Sequence, residues 1–226
     1  MIVPFEINNK VYEIKAYDTF KEKELLLLGS FGVFDFERIF DILEFKDYSD
    51  LSDDEKKVIL YKHREISIGD EIDVKFKCEK CGQGNESILE ATNFITPSKR
   101  NDSDIKKILK PFNEENMHEY VDIDVDELDI CDYETLKQRI IDNQQEINFV
   151  KQAKCLKCQH NQKFNIGNLK YIVDIMSEDS LMTLYKAYNY LIFFGKYSKN
   201  DIDRMYPFER SIFIGLLNKT KEDLNK

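Results

Sequence analysis

The 226-residue sequence predicts an α+β fold, with a helical subdomain built from both ends of the chain and a β-subdomain between them. Apolar residues recur at helical spacing over residues 19–68 and again over 177–217, so each end supplies an amphipathic face that needs a partner. Residues 71–77 and 147–151 alternate between polar and apolar side chains, as strands do. Since the chain has only 8 Gly and 4 Pro, it offers little linker sequence. We therefore expect the N- and C-terminal helices to pack against each other.

The N-terminal elements begin with a β-hairpin predicted over residues 3–17, with its turn at Asn8-Asn9-Lys10. A first helix follows, in which Thr19 and Glu22 match the capping-box pattern. Gly29 lies near the expected end of this helix.

Two further helices are predicted before residue 70. The second helix spans residues 34–45 and has an apolar face that consists of Phe36, Ile39, Phe40 and Leu43. The third begins at the capping box Ser52-Asp-Asp-Glu55 and ends at Gly69. We expect His63 on the surface of this third helix.

Two Cys-x-x-Cys pairs, Cys78 with Cys81 and Cys155 with Cys158, have the spacing that a structural zinc ion requires. Because each pair lies between two strand-like runs, the pattern is that of a zinc ribbon, in which two β-hairpins share one metal ion. We therefore predict Zn²⁺ as a structural cofactor held by all four thiolates. Four protein ligands leave no position for a reactive water, so we do not expect a catalytic metal.

The sequence also allows other roles for these cysteines. A redox Cys-x-x-Cys motif usually occurs once, near a βαβ unit, whereas this chain has two. Disulfides are disfavoured because the chain has five cysteines, which leaves Cys131 over, and no signal peptide precedes them. His160 could replace one thiolate, but with four cysteines present we expect it to be a solvated loop histidine. A zinc-deaminase signature is matched in part by His63-Arg64-Glu65, but no proline precedes Cys78 and the second pair would have no role.

An acidic insert is predicted between the two hairpins, at about residues 95–146. Residues 101–150 hold 14 acidic and 5 basic side chains, so this segment accounts for −9 of the formal net charge of −10. Aliphatic and acidic residues alternate over residues 120–130, which predicts a strand with its carboxylates on one face. This face is either solvated surface or a docking edge for a basic partner. The carboxylates concerned are Asp122, Asp124, Asp126 and Asp129.

The C-terminal region predicts helices that are rich in aromatic residues. One opens at Ser177-Glu-Asp-Ser180 and runs over residues 181–194. Another is capped by Ser198-Lys-Asn-Asp201 and is broken near Pro207. The 181–194 helix is apolar almost all round, so it needs cover on several sides, from the helical core or from another subunit. The residues that we expect to contact a partner are Tyr185, Tyr188, Phe193 and Phe194.

These elements divide the chain into three expected segments. Residues 1–70 carry the N-terminal hairpin and helices, and residues 71–166 carry the zinc ribbon with its acidic insert. Residues 167–226 carry the aromatic-rich helices, which we expect to pack on the N-terminal part.

Composition limits the function classes. The pI near 5.0 argues against duplex nucleic acid as the main partner, since neutralising phosphates needs a basic face. No apolar run approaches the ~18 residues that span a bilayer, and the first residues lack a signal-peptide pattern. We therefore expect a soluble intracellular protein without a membrane partner. The sequence has no P-loop, GxGxxG, GxSxG or HExxH motif, so we expect neither an enzyme nor a small-molecule substrate.

Several short motifs follow one another in a set order along most of the chain. They are Pro4-Phe5, residues 19–28, residues 66–70 leading into Cys78-x-x-Cys81, Cys155-x-x-Cys158, and residues 206–210 with 215–217. This arrangement resembles the baseplate hub assembly proteins of T-even-type contractile-tailed bacteriophages. The resemblance implies a non-enzymatic protein that helps to build the baseplate hub, as an assembly chaperone or a minor hub component. It implies other hub or tail proteins as partners, and a location in the host cytoplasm during assembly or in the virion baseplate.

A second interpretation is a zinc-ribbon regulatory or transcription-associated protein that binds nucleic acid or a polymerase. Such a protein needs basic residues around its ribbon. Seven lysines do lie near the four cysteines in the sequence: Lys75, Lys77, Lys80, Lys151, Lys154, Lys157 and Lys163.

Overall fold

A computed structural model of the protein describes residues 1–8, 10–96, 99, 102–106, 108–109 and 112–224. The chain is a mixed α+β structure with small antiparallel sheets, as predicted. The described helices are α1 (Thr19–Ser30), α2 (Phe36–Leu43), α3 (Asp53–Ser67), α4 (Met117–Tyr120), α5 (Ile130–Asn143), α6 (Leu169–Ile175), α7 (Leu181–Phe193), α8 (Lys199–Arg204) and α9 (Pro207–Leu224).

The described strands pair two by two, each with its neighbour in the chain. They are β1 (Ile2–Ile7) with β2 (Lys10–Lys15), β3 (Glu71–Lys77) with β4 (Gly84–Glu90), β5 (Ile95–Thr96) with β6 (Glu146–Ile147), and β7 (Val150–Lys154) with β8 (Asn161–Asn165). The pair β5–β6 joins the two ends of the acidic insert. Within the insert, the backbone N–H of Leu109 also donates to Asn8 of the N-terminal hairpin at 2.8 Å.

The N-terminal hairpin and the helices α2 and α3 follow the predictions closely. Strand β1 pairs with β2 in an antiparallel register, and of the predicted turn Asn9 lies outside the described residues. Helix α2 buries the face that contains Ile39 and Phe40. At the start of α3 the reciprocal hydrogen bonds of the Ser52 and Glu55 capping box are both present. Helix α6 was not predicted from the sequence.

The capping box predicted at Thr19 and Glu22 is wrong. Asp18 caps α1 instead, because its carboxylate accepts a hydrogen bond from the backbone N–H of Lys21. The Thr19 hydroxyl donates to the carbonyl oxygen of Met205 at 2.8 Å. Both residues of the apparent motif are buried and make contacts with the C-terminal part of the chain.

A buried ion pair between Glu22 and Arg210 joins α1 to α9. The side chain of Glu22 is 1% exposed and that of Arg210 is 3% exposed. Asp179 accepts a second bond from the Arg210 guanidinium at 2.9 Å, and the Ser177 hydroxyl donates to Glu22 at 2.6 Å. Helix α1 also packs against α6, α7 and α8, so the two helical ends of the chain form one contact region.

Buried apolar residues form a large cluster and two smaller ones in the described part of the chain. The large cluster combines the N-terminal hairpin, α1 to α3, α6 and the bases of the β3–β4 and β7–β8 hairpins. A second lies within the acidic insert and consists of Ile105, Met117, Tyr120, Val121, Leu136 and Ile140. The third joins α7 to α8 through Leu184, Tyr188, Leu191 and Ile202.

The strand predicted over residues 120–130 is not formed. This stretch contains the end of α4, a 3₁₀ turn at Val125–Glu127 and the start of α5. The Asp124 carboxylate accepts from the amide of Asp126 at 3.1 Å, and that of Asp129 accepts from the amide of Asp132 at 2.8 Å. Aspartate caps helical turns through such bonds and disfavours strands, so local hydrogen bonding outweighs the alternating pattern.

His63 lies in the core, so its predicted surface position is wrong. Its side chain packs edge-on against Phe45, and Nδ1 donates to the carbonyl oxygen of Lys15 at 2.8 Å. Burial lowers the pKa of His63 to about 4, so the ring is neutral at neutral pH. His63 is therefore a packing residue of α3, which removes the basis of the deaminase alternative.

Replacing Arg210 with methionine should lower the free energy of unfolding by about 3–5 kcal/mol, because the Glu22 carboxylate is then buried without its partner. Adding Glu22→Met should recover part of this loss, since no unpaired carboxylate remains in the core. Urea unfolding followed by circular dichroism measures both. The exposed Arg204→Met on α8 is the matched control and should change stability by less than about 0.5 kcal/mol. A loss of under about 1 kcal/mol for Arg210→Met would contradict the central role of this pair.

Candidate metal centre

The two predicted Cys-x-x-Cys pairs meet at the tips of the β3–β4 and β7–β8 hairpins. Their four sulfur atoms all lie within 4.8 Å of one another. The Sγ atoms of Cys78 and Cys158 are 3.5 Å apart, and those of Cys81 and Cys155 are 3.6 Å apart. A tetrahedral metal with M–S bonds of about 2.3 Å holds its sulfurs about 3.8 Å apart, as in zinc sites. A disulfide needs about 2.05 Å. The four cysteines can therefore hold one metal ion, and the spacing is compatible with zinc.

The two cysteine turns have the same backbone geometry. In the first, the Cys78 amide donates to the Gln83 carbonyl, and Gly82 donates back to the Cys78 carbonyl. In the second, the Cys155 amide donates to the His160 carbonyl, and Gln159 donates back to Cys155. Gly82 and Gln159 occupy equivalent positions and have φ values of +70° and +57°. A left-handed residue at this point lets each turn direct both of its sulfurs to the same side.

Two amide side chains connect the turns to each other. Asn85 Oδ1 accepts from the backbone N–H of Leu156 at 2.9 Å, and Gln162 Oε1 accepts from that of Glu79 at 3.2 Å. Each amide lies seven residues after the first cysteine of its own turn, and each bonds to the residue that follows the first cysteine of the other. Both side chains are largely buried. The site is therefore held by a reciprocal pair of hydrogen bonds as well as by its sulfurs.

The correspondence extends to the bases of the hairpins. A shift of 77 positions, which superposes Cys78 on Cys155, also relates Ile72 to Phe149 and Leu89 to Ile166, all of them buried. The strands β4 and β7 pack side by side. Between the hairpins, the rings of Phe76 and Phe164 make an edge-to-face contact with centroids 5.1 Å apart. Each hairpin thus carries half of the sulfur site at its tip and anchors itself in the large core cluster at its base.

The thiols influence one another electrostatically. The backbone amides of Cys158 and Lys157 and the neighbouring thiols together lower the pKa of Cys155 to about 6, although desolvation opposes them. The His160 amide lowers the pKa of Cys158, but burial and the other three thiols outweigh it and raise that pKa to about 11. One thiolate therefore makes the next harder to form. A bound cation offsets this repulsion, which is how a four-thiolate site favours a metal.

Other sequence-predicted site residues lie apart from the cysteines. The imidazole of His160 contributes no atom to the sulfur cluster, and Cys131 is exposed on α5. Asp122 forms an ion pair with Lys106, while Asp124 and Asp129 cap helical turns in the insert.

The aromatic residues predicted to contact a partner divide into two groups. Tyr185, Phe193 and Phe194 are 53%, 65% and 53% exposed on α7. Tyr188 is buried, and its hydroxyl donates to Asp203 of α8 at 2.6 Å. Tyr188 is thus a core residue. Within the described residues the helical core covers only one face of α7, so of the two predicted sources of cover the core supplies one side, and cover by another subunit stays a prediction.

Sequence reasoning missed Asn85 and Gln162. The signal was present, because an amide side chain stands at the same offset from both Cys-x-x-Cys pairs. Comparison of the chain with protein-family models, with curated proteins and with solved structures finds no match. In the part of the chain that the structure describes, none of the helices combines the length and apolarity needed to cross a bilayer.

Substituting either bridging amide should weaken metal retention. Asn85→Leu and Gln162→Leu each leave a backbone N–H without its acceptor and free the opposite turn to move, so metal transfer to a chelator should become about 10–100-fold faster. Gln152→Leu, which removes an exposed amide from the same sheet, is the control and should release metal at the parent rate. The role assigned to these amides fails if all three variants release metal alike.

Proposed function

We propose that the metal is Zn²⁺, that the two hairpins form a zinc ribbon, and that the protein is a non-enzymatic assembly factor that acts through protein contacts. Four thiolates in tetrahedral spacing favour zinc among the common divalent ions. With all four positions taken by the protein, the ion has no open site for a substrate or an activated water. Its role is then to hold the two hairpins together.

Protein purified without chelator should contain one zinc per chain, as measured by plasma emission spectrometry. Cys155→Ser combined with Cys158→Ser should lose the ion, because only two sulfur ligands remain. Cys131→Ser, which changes an exposed cysteine outside the cluster, should retain it. Zinc content near zero in the parent, or full zinc content in the double variant, would overturn the assignment.

The single observation that carries the assembly role is an apolar surface on α7 and α9. Helix α7 exposes Met182, Tyr185, Ile192 and Phe193, Phe194 follows directly after it and is also exposed, and α9 exposes Phe208, Ile212 and Leu216. Large apolar side chains at this density on adjacent helices are typical of a protein-binding surface, and aromatic residues provide most of the energy of such contacts. The two helices pack against each other, so these side chains belong to one region of the molecule.

The partner that we propose is a subunit of a contractile-tail baseplate hub. The order of motifs resembles that of baseplate hub assembly proteins, and an exposed aromatic surface together with a metal-stapled β-subdomain suits an assembly chaperone or a minor hub component. The protein would then act in the host cytoplasm during assembly or in the virion baseplate. The exposed carboxylates of residues 122–129 add a docking edge for a basic surface, which would raise the association rate and make it depend on salt.

Changing Phe193 and Phe194 to serine should abolish capture of hub subunits from phage-infected cells, because these two adjacent rings at the end of α7 are 65% and 53% exposed. Affinity purification of the tagged protein with mass spectrometry measures this. The matched control changes two exposed apolar residues elsewhere, Ile88→Ser and Ile130→Ser, and should capture hub subunits normally. If the parent captures no hub protein, or if both variants capture equally, the proposed surface or the proposed partner is wrong.

A further inference from the structure

Charge is strongly segregated along the chain. Residues 101–146 carry a net charge of −9, whereas residues 147–173 contain five lysines and no carboxylate. The β7–β8 hairpin lies in this second stretch, so an acidic protein has one hairpin that carries lysines and no carboxylate, although Glu79 stands in the neighbouring cysteine turn. Since salt screens exposed charges beyond about 8 Å at physiological ionic strength, such local charge rather than the net charge decides what docks there.

The lysines at the tips of the hairpins are available for binding. Two of the seven near the cysteines are engaged within the chain, since Lys75 pairs with Glu86 and Lys151 donates to the carbonyl oxygen of Thr92. The other five are exposed, and no carboxylate of the described residues forms an ion pair with them. These five are Lys77, Lys80, Lys154, Lys157 and Lys163. We call them the tip lysines.

An apolar groove lies beside the tip lysines. Phe76 and Leu156 line an open groove of about 640 Å³ on the β3–β4 hairpin, with Lys75, Lys77 and Glu86 at its rim. Lys75 forms an ion pair with Glu86, so Lys77 leaves this rim with a net positive charge. Leu156 is 76% exposed although its backbone is fixed by the hydrogen bond to Asn85. The groove therefore suits an apolar side chain flanked by negative charges.

The acidic insert carries a segment of this chemistry. Ile123 is 52% exposed and stands between Asp122 and Asp124, and three more carboxylates follow within residues 126–129. Within one chain, no ion pair among the described residues joins this segment to the tip lysines. Asp122 pairs instead with Lys106 of the insert itself. The insert also leaves the fold at β5–β6, at the base of the hairpins, whereas the tip lies about 17 Å further along the strands.

We propose that the tip lysines and their groove bind the acidic segment of a second copy of this chain, with Ile123 of one copy beside Leu156 of the next. The inference rests on the proposed docking role of the acidic edge and names its partner. The hub contact through α7 and α9 does not depend on it. Since the two contact surfaces differ, the association is head to tail and leads to a ring or to an open chain.

A second copy is favoured over nucleic acid by the chemistry of the surface. The hairpins offer lysines but no arginine for bidentate contacts to bases or phosphates. Their two aromatic rings, Phe76 and Phe164, are half-buried against each other, so they do not form the exposed stacking platform that single-stranded nucleic acid uses.

Sedimentation velocity of the zinc-loaded full chain tests the proposal. At about 20 mM salt the sedimentation coefficient should rise with protein concentration, and at about 0.5 M salt it should return to the monomer value. Lys154→Glu, Lys157→Glu and Lys163→Glu together should weaken self-association at least tenfold. Asp124→Lys, Asp126→Lys and Asp129→Lys together should do the same. An equimolar mixture of the two triple variants should associate again, because each charge-reversed surface then meets its complement.

The matched control reverses three exposed lysines of the helical part, Lys186→Glu, Lys196→Glu and Lys219→Glu, and should associate as the parent does. All variants should keep their zinc, which shows that the sulfur site is intact, and should keep the helical circular dichroism of the parent, which shows that the capped turns of the insert and the helical part are folded. The proposal is overturned if the parent stays monomeric at low salt, if the control loses association equally, or if the mixture of variants stays monomeric. Binding of a single-stranded oligonucleotide that the Lys→Glu variant loses, without self-association of the parent, would assign the surface to nucleic acid instead.

Discussion

The β-subdomain depends on one constraint, which is that four sulfur atoms from two distant parts of the chain occupy a space less than 5 Å across. Thiolates at such distances repel one another unless a cation lies among them. The reciprocal bonds of Asn85 and Gln162 set the orientation of the two turns, so the sulfur geometry does not depend on the ion alone. Buried residues at the hairpin bases transmit this geometry to the large core cluster.

The helical part is stabilised in a different way. Glu22, Arg210 and Asp179 form a buried network that links α1 to the C-terminal helices. Such a network contributes little net stability compared with apolar packing, but it strongly disfavours any arrangement that leaves one of its charges unpaired. It therefore selects one way of packing the two ends of the chain. This selection also determines which face of α7 is buried and which remains exposed.

The sequence predicted the elements whose signals are local. The hairpins around the cysteines, the capping boxes of α3 and α8, and the apolar face of α2 all formed as expected. The errors at Thr19, Glu22 and His63 have one cause. Each of these side chains bonds to a residue far along the chain, although its local sequence pattern indicated another role. The strand predicted for residues 120–130 did not form, because aspartate side chains cap turns more readily than they line a strand. The convergence of the four cysteines was predictable from spacing, whereas the bridging amides became recognisable only when the hairpins were compared position by position.

The paired strands β5 and β6 close the acidic insert at its base. Because its two ends are held together there, the insert can change in length without moving the strands that flank it. A flexible loop that is already closed costs only about 0.6 kcal/mol more for each doubling of its length. The insert also has a small apolar cluster of its own. Leu109 of the insert packs in the large core cluster and its amide donates to Asn8, so additions or deletions beyond this contact, within residues 113–143, should leave the hairpins and the sulfur site undisturbed. Across evolution, that part of the insert is therefore a place where new sequence costs little to acquire.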